Sequence, residues 1–259
     1  MAINKAKVLT ITSVRGGTGK TTTALNLAGL LSLKKEKTLL IDLDLYESAI
    51  GPLLNIQNEE NIYTLASDIL NGYTKPIMSY ITKYNSYIDC LLAPNDPRRA
   101  ASVYSKSITD IIEKYRPNYD YIIIDTNYFM NDINLNVLDA SDMILYVIDN
   151  DLVSLKAMRS IGNIYNDIEK TNYKILINKS INKYKEKFDN FDLNNIIGNK
   201  INYILPSNFY QKNMGEYIKK GQILLLDNNI RKSNNKTLET FKNIINDLDK
   251  EVLKIEKIN

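Results

Sequence analysis

The sequence predicts an α/β fold: a doubly wound, mainly parallel sheet flanked by helices, with a helix at the C-terminus. Three observations carry this. Short apolar runs alternate along the chain with longer segments of helical period. Most of those runs are nearly continuous in Ile, Leu and Val, the pattern of parallel strands covered on both faces. No Gly/Ser-rich or Pro-rich stretch divides the 259 residues, so one domain spanning residues 1–259 is expected.

The first strand is expected over residues 7–14. A glycine turn follows, then a helix over 20–33 with Ala24, Leu25, Leu27, Ala28 and Leu31 at helical spacing. Further strands are expected over 38–43, 87–93, 119–125, 143–149, 173–178 and 201–205, and helices over 62–70, 98–115, 151–170 and 208–220. The last segment, 234–259, stands apart. Its Leu238, Phe241, Ile245, Leu248, Val252 and Ile255 recur at heptad-like spacing. A terminal helix packed on the body accounts for this stripe, and a dimer or partner contact is the alternative. Membrane contact is not favoured, because Asp247, Asp249, Glu251 and Glu256 interrupt the polar face and Phe241 is the only aromatic.

Composition closes several routes. Hydrophobic residues make up 44% and charged residues 24%, as in an ordinary globular protein. The absence of histidine excludes Ser-His-Asp and Cys-His catalysis and most zinc sites. Chemistry must then run on carboxylates, lysine, arginine, hydroxyls, backbone amides and a bound metal. The single cysteine, Cys90, allows no internal disulfide and fits a reducing interior. Residues 1–7 carry no signal-peptide core, and no stretch nears the roughly 20 apolar residues of a membrane span. The expected location is cytoplasmic, with recruitment to a pole or a membrane-associated complex left open. A net charge of +3 is too small to argue for nucleic acid by itself. The 18 tyrosines accompany abundant Asn, Ile and Lys, as AT-rich coding would give, and are not read as a functional signal.

Between the first strand and the first helix runs Ser13-Val14-Arg15-Gly16-Gly17-Thr18-Gly19-Lys20-Thr21-Thr22. Strand, glycine turn and helix N-terminus are the context of a phosphate loop, the mark of a P-loop NTPase. Glycines let successive N–H groups turn inward toward phosphate oxygens, and the helix adds its positive dipole end. Lys20 can reach the β- and γ-phosphates, and the Thr21 hydroxyl can ligate Mg²⁺. The stretch 16–22 is therefore the expected nucleotide cradle. The second strand ends in two acids, Asp42 and Asp44, and Asp42 reads equally as a strand-end cap or as a direct participant. The run Tyr121-Ile122-Ile123-Ile124-Asp125 ends in an acid suited to holding Mg²⁺.

The strict pattern has glycine where Val14 stands, and a basic residue precedes the two glycines. In this the chain resembles the MinD/ParA family of deviant P-loop ATPases, over residues of about 5 to 230. The resemblance implies ATP and Mg²⁺ as cofactors and a homodimer bridged by ATP. In that family the residue before the glycines is normally a lysine that reaches the partner's phosphates; here it is Arg15, a candidate arginine finger in trans. The resemblance further implies a catalytic set of Lys20, Asp44 and Arg15, with Asp44 positioning or polarising the attacking water. The implied metal set is Thr21, Asp44 and Asp125. Asn178 is matched to an adenine contact, and Pro206 with Ser207 to the closure of the base pocket. Asn178-Lys179 is not followed by the aspartate a guanine reader needs, since position 181 is Ile181. The family's prolines after the Walker B acid are replaced by Thr126-Asn127-Tyr128.

Within the family, residues 92–97, 138–142, 151–155 and 41–45 resemble the CpaE/TadZ branch, which helps localise pilus assembly machinery. Three roles stay open. One is an ATP-gated positioning ATPase acting on a pilus or polar machine through a cargo or activating protein. Another is a ParA-like segregation ATPase binding DNA nonspecifically, with Lys212, Lys219, Lys220, Arg231, Lys232 and Lys236 as candidate contacts. The last is a nucleotide-dependent scaffold with little turnover, prompted by Arg15 and the altered second switch.

Overall fold

The computed structural model describes residues 5–73, 75–181, 188–209 and 214–258, with side chains through residue 253. Lys212, the span 210–213 of the expected helix over 208–220, and the side chain of Ile255 lie outside the described residues.

The described chain runs β1 (Lys7–Thr12), α1 (Lys20–Leu33), β2 (Thr38–Leu43), α2 (Ile50–Leu54), α3 (Ile62–Leu70), β3 (Thr82–Lys83), β4 (Ile88–Leu91) and α4 (Ser105–Tyr115). It continues as β5 (Tyr121–Thr126), α5 (Asp132–Ala140), β6 (Met143–Asp149), α6 (Leu152–Asp167), β7 (Tyr173–Asn178), α7 (Asn190–Ile197), β8 (Tyr203–Leu205), α8 (Met214–Lys219), α9 (Asn228–Ser233) and α10 (Asn235–Ile258). The strands form one sheet in the order β3-β4-β2-β5-β1-β6-β7-β8. Every pairing is parallel except the short β3 against β4.

Strand alternation divides the apolar residues between two faces. Leu9 and Ile11 of β1, Leu40 of β2, Ile123 of β5 and Val147 of β6 face a layer built from α1 and α10. Val8, Leu39, Ile41, Ile122 and Ile124 face α3 and α4 on the other side. Ile144, Tyr146 and Ile148 extend that second layer toward α6 and α7. Being covered on both faces is why β2, β5 and β6 are buried at every position.

The apolar stripe of the C-terminal segment is a core face. Phe241, Ile244, Ile245 and Leu248 of α10 are buried in the α1 layer, with Phe241 edge-on to Phe209 at 6.0 Å between ring centroids. Farther along, Asp249 accepts from Lys7 Nζ at 2.8 Å and Tyr121 Oη at 2.9 Å, and Glu251 pairs with Lys174 at 3.1 Å. Lys7 and Tyr121 begin their strands, so α10 fastens the end of the sheet opposite the phosphate loop.

The expected helix over 98–115 is two pieces. Pro97 and the Asp96 side chain, which accepts from the Arg98 N–H, close a 3₁₀ turn over Pro97–Ser102, and Val103 is extended before α4 starts. Of the expected helix over 208–220, the described residues form the end of a 3₁₀ turn at Ser207–Phe209 and α8. Among the described residues no helix is long and apolar enough to cross a membrane.

Candidate nucleotide site

The site lies at the C-terminal ends of β1, β2 and β5. There β1 is flanked by β5 and β6, and the chain departs in opposite directions from β1 to β2 and from β6 to β7, the place where open α/β sheets leave a crevice. After β1 the chain turns through residues 13–19 and enters α1 at Lys20. Gly17 and Gly19 have φ of 74° and 90°, values that favour glycine, and Gly19 is the N-cap of α1. Thr18 is buried and donates its hydroxyl to Ser13 Oγ at 2.9 Å, tying the two ends of the turn. Val14, which replaces a glycine of the strict pattern, packs its side chain against the cluster of Tyr146 and Leu138.

A cleft of about 360 Å³ opens above the turn, lined by Gly16, Gly17, Gly19, Lys20, Thr21 and Thr22 on one side. The opposite wall is Asp44, Tyr46, Glu47, Asn127, Tyr128 and Phe129. The Thr21 hydroxyl donates to Asp125 Oδ2 at 2.5 Å. Asp125 is fully buried, and its Oδ1 has no hydrogen-bond partner among the described residues. Burial first, and then the neighbouring Asp42 carboxylate, push Asp125 up to about 8; the Thr21 hydroxyl and the Lys20 ammonium pull the other way. An orphaned carboxylate oxygen beside a hydroxyl is a hard oxygen pair that fits Mg²⁺. Among the described residues no three His, Cys, Asp or Glu side chains converge to hold a metal alone.

The two acids at the end of β2 have different partners. Asp42 is fully buried and accepts from Ser48 Oγ at 3.0 Å, Ile50 N–H at 3.1 Å and Asp44 N–H at 3.2 Å. It is therefore the cap of the 43–50 loop, and burial lifts its carboxyl to about 6 against those bonds. Asp44 is half-buried on the cleft wall; burial raises its pKa, and the Lys20 charge opposes the rise.

Arg15 is 47% exposed, and it does not line the cleft. Its guanidinium turns toward two acids at the end of β6, with Nη1 at 3.5 Å from Asp151 Oδ1 and 3.9 Å from Asp149 Oδ2. Asp151 also caps α6 by accepting from Val153 N–H. Beside the loop lies a second cavity of about 150 Å³, lined by Gly19, Thr22, Thr23, Asn178, Ser180, Ile181, Leu205, Phe209, Met214 and Leu224. Pro206 lies next to this wall and not in it; its carbonyl accepts from Phe209 N–H at 3.1 Å. Of the candidate DNA contacts, Arg231 is committed internally, donating to the Leu225 carbonyl at 2.6 Å.

Sequence reasoning left out the aromatic side of the cleft. Tyr128 and Phe129 are exposed, with ring centroids 4.4 Å apart and planes tilted by 34°, and a Cβ at Gly16 would lie 3.6 Å from the Tyr128 ring. Tyr46 stands on the same wall. The available signal was position, since each follows an acid at a strand end.

A family model described as an AAA domain matches residues 6–183. The chain is 29% identical over 159 residues to the chromosome partitioning protein ParA of Myxococcus xanthus, covering 59% of this chain and 55% of that protein. In structure it is similar to a ParA family ATPase from Chlorobium tepidum TLS, with a TM-score of 0.75 at 19% identity, over 95% of this chain and 98% of that one. It is also similar to the septum site-determining protein MinD from Pyrococcus horikoshii OT3, complexed with Mg-ADP, with a TM-score of 0.73 at 18% identity over 98% of each chain. The chain spans about half to two thirds of the length of the curated relatives it matches.

Proposed function

This chain belongs to the MinD/ParA family of P-loop ATPases, and from that premise we propose that it binds and hydrolyses MgATP in the cleft above α1. The observation that carries this reading is the Thr21–Asp125 contact, with the buried Asp125 Oδ1 left without a hydrogen-bond partner among the described residues. Gly16 to Thr22 cradle the phosphates through backbone N–H groups and the start of α1. Lys20 places a point charge on the β- and γ-phosphates. Thr21 and Asp125, with Asp44 at the cleft wall, would hold Mg²⁺, which supplies charge neutralisation between phosphate oxygens. Asp44 orients a water for in-line attack, and the loop amides stabilise the charge that develops. Support for the ligand comes from the Pyrococcus horikoshii MinD, which is complexed with Mg-ADP.

Bound ATP links two protomers, and hydrolysis releases them, so nucleotide state becomes a positioning signal read by a cargo or activating protein. The cargo assigned on the resemblance of residues 92–97, 138–142 and 151–155 is a pilus or other polar machine. Calorimetric titration with ATP, with Mg²⁺ and then with EDTA, tests the core of this reading. Binding should need Mg²⁺ and vanish in Lys20→Ala; unchanged ATP affinity in that variant refutes the site. A segregation role predicts ATP-dependent DNA retention with a steep salt slope, and its absence at low salt eliminates that alternative.

A further inference from the structure

We propose that Asn127 binds the terminal phosphate, its side-chain Nδ2 donating to the γ-phosphate of bound ATP and so adding to the affinity for a triphosphate over a diphosphate. Asn127 is 5% exposed and stands just past the end of β5, two residues beyond Asp125. That strand lies between β1, which leads into the phosphate loop, and β2, which leads to Asp44. Thr12 Oγ1, at the end of β1, donates to the Asn127 carbonyl at 3.4 Å. Two further donors occupy the side-chain Oδ1: Phe129 N–H at 3.0 Å and Asn134 Nδ2 at 2.6 Å. Asn134 Nδ2 also donates to the Phe129 carbonyl at 2.6 Å. A backbone N–H can only donate and a carbonyl can only accept, so these partners fix both amides end for end. The Asn127 Nδ2 is the end left over. It donates to no described residue, and it is not sealed from solvent as the Asn134 Oδ1 is. Two unpaired N–H groups on a residue this buried are an arrangement that an outside acceptor completes.

Charge decides where that acceptor lies. Asn127 borders two hollows, the cleft above α1 and a cavity of about 300 Å³ behind Tyr46. The cavity is lined by Asp132 and by no basic residue, so it repels an anion. The cleft holds Lys20 and the turn of Gly16 and Gly17, and Asn127 stands on the wall facing them. The Tyr128 ring comes within 3.6 Å of the place a Cβ at Gly16 would take, so the segment after β5 closes down on the loop. The loop side surrounds the inner phosphates, which leaves the outermost one for the facing wall. With Asp44 on that wall and Asp125 just below it, a neutral donor adds attraction without a further charge. A hydrogen bond to an ionised phosphate oxygen is of the stronger kind, and ADP has no such oxygen to offer at that place.

The γ-phosphate contact rests on the nucleotide site proposed above. Affinities for AMPPNP and ADP are measured with Mg²⁺, by competition against a fluorescent ADP analogue, for the wild type, Asn127→Ala and Asn127→Asp. Aspartate keeps an acceptor for Phe129 N–H and Asn134 Nδ2 and loses only the donor, so it holds the loop while removing the contact. In Asn127→Ala the AMPPNP-to-ADP affinity ratio should fall about tenfold, as for one lost hydrogen bond to a charged group. In Asn127→Asp it should fall at least as far, because a carboxylate then faces the phosphate. A ratio within about threefold of the wild type in either variant overturns the contact, including the case where both nucleotides weaken together because the loop has loosened. A wild type that binds neither nucleotide sinks the site itself, an outcome distinct from loss of the Asn127 contact alone.

Discussion

Replacing Asp125 by Asn should stabilise the nucleotide-free protein at pH 8 while removing its response to Mg²⁺. Parallel register sets Asp125 of β5 directly beside Asp42 of β2, and both side chains are fully buried. Burial and the Asp42 charge lift Asp125 from an ordinary 3.8 to about 8. The folded value lies above the unfolded one, so this group's contribution is fully present below about pH 4 and is lost as pH rises through about 8. At about 1.4 kcal/mol per tenfold change in proton affinity, the loss is on the order of 5 kcal/mol across that window. For a chain of this size that is on the order of 10 °C in melting temperature. Asn keeps the shape and an oxygen for the Thr21 hydroxyl but has no charge to desolvate. Thermal and urea unfolding at pH 5 and pH 8, with and without MgATP, read both effects. Without ligand, the wild type should weaken from pH 5 to pH 8 more steeply than Asp125→Asn, and the variant should be the more stable of the two at pH 8. With MgATP the wild type should gain stability and the variant should not. Parallel pH profiles, or a variant less stable at pH 8, would refute the desolvated-acid argument.

Other expectations are narrower. Asp44→Ala should lower turnover by two or more orders of magnitude, as loss of a water-positioning group does; retained turnover in a phosphate-release assay removes Asp44 from the mechanism. Arg15→Ala should spare ATP affinity of the single protomer and weaken the ATP-dependent dimer in sedimentation; an equally stable dimer shows that Arg15 does not bridge. Ser48→Ala removes one of three donors to Asp42 and should cost about 1 kcal/mol in urea unfolding. Phe241→Ala empties a fully buried ring site beside Phe209 and should cost about 3–5 kcal/mol; a loss under about 1 kcal/mol would mean that α10 is not a core helix.

The strands over 38–43, 143–149 and 173–178 and the helices over 20–33 and 62–70 were legible end to end. Their boundaries are written in local chemistry: apolar runs stopped by an acid or Asn, and the Asn61 side chain accepting from Tyr63 and Thr64 N–H groups to start α3. Short elements carried too little pattern to be read. The strand β3 has two residues, α2 has five with Pro52 inside it, and α5 and α7 are rich in Asn and Asp. The phosphate loop was legible because its glycines, lysine and threonine are consecutive. The direction of Arg15 was not, because its acidic partners lie more than 130 residues away and meet it only through the β1–β6 pairing. The family was readable from Arg15 to Thr21 and the α/β fold from the alternation of apolar runs with helical segments; the pilus role rests on resemblance alone.

The pair Asp42 and Asp44 shows why spacing in a sequence underdetermines roles at a strand end. Two acids separated by one residue lie on the same face of a continued strand. Here β2 ends at Leu43, so only Asp42 keeps the strand's geometry, in register with Asp125 and cut off from solvent. Asp44 is the first residue free of the ladder, and it stands on the cleft wall. Its own N–H is held by Asp42, so the buried acid fixes where the exposed one begins. Ser48 and Ile50 bind the same carboxylate, and the loop carrying Tyr46 and Glu47 is thus closed at both ends on one side chain. A carboxylate with three donors holds a loop more firmly than one capping bond does. Moving this wall of the cleft in response to nucleotide therefore requires bending residues 45–47, and it leaves the Asp42 anchor in place.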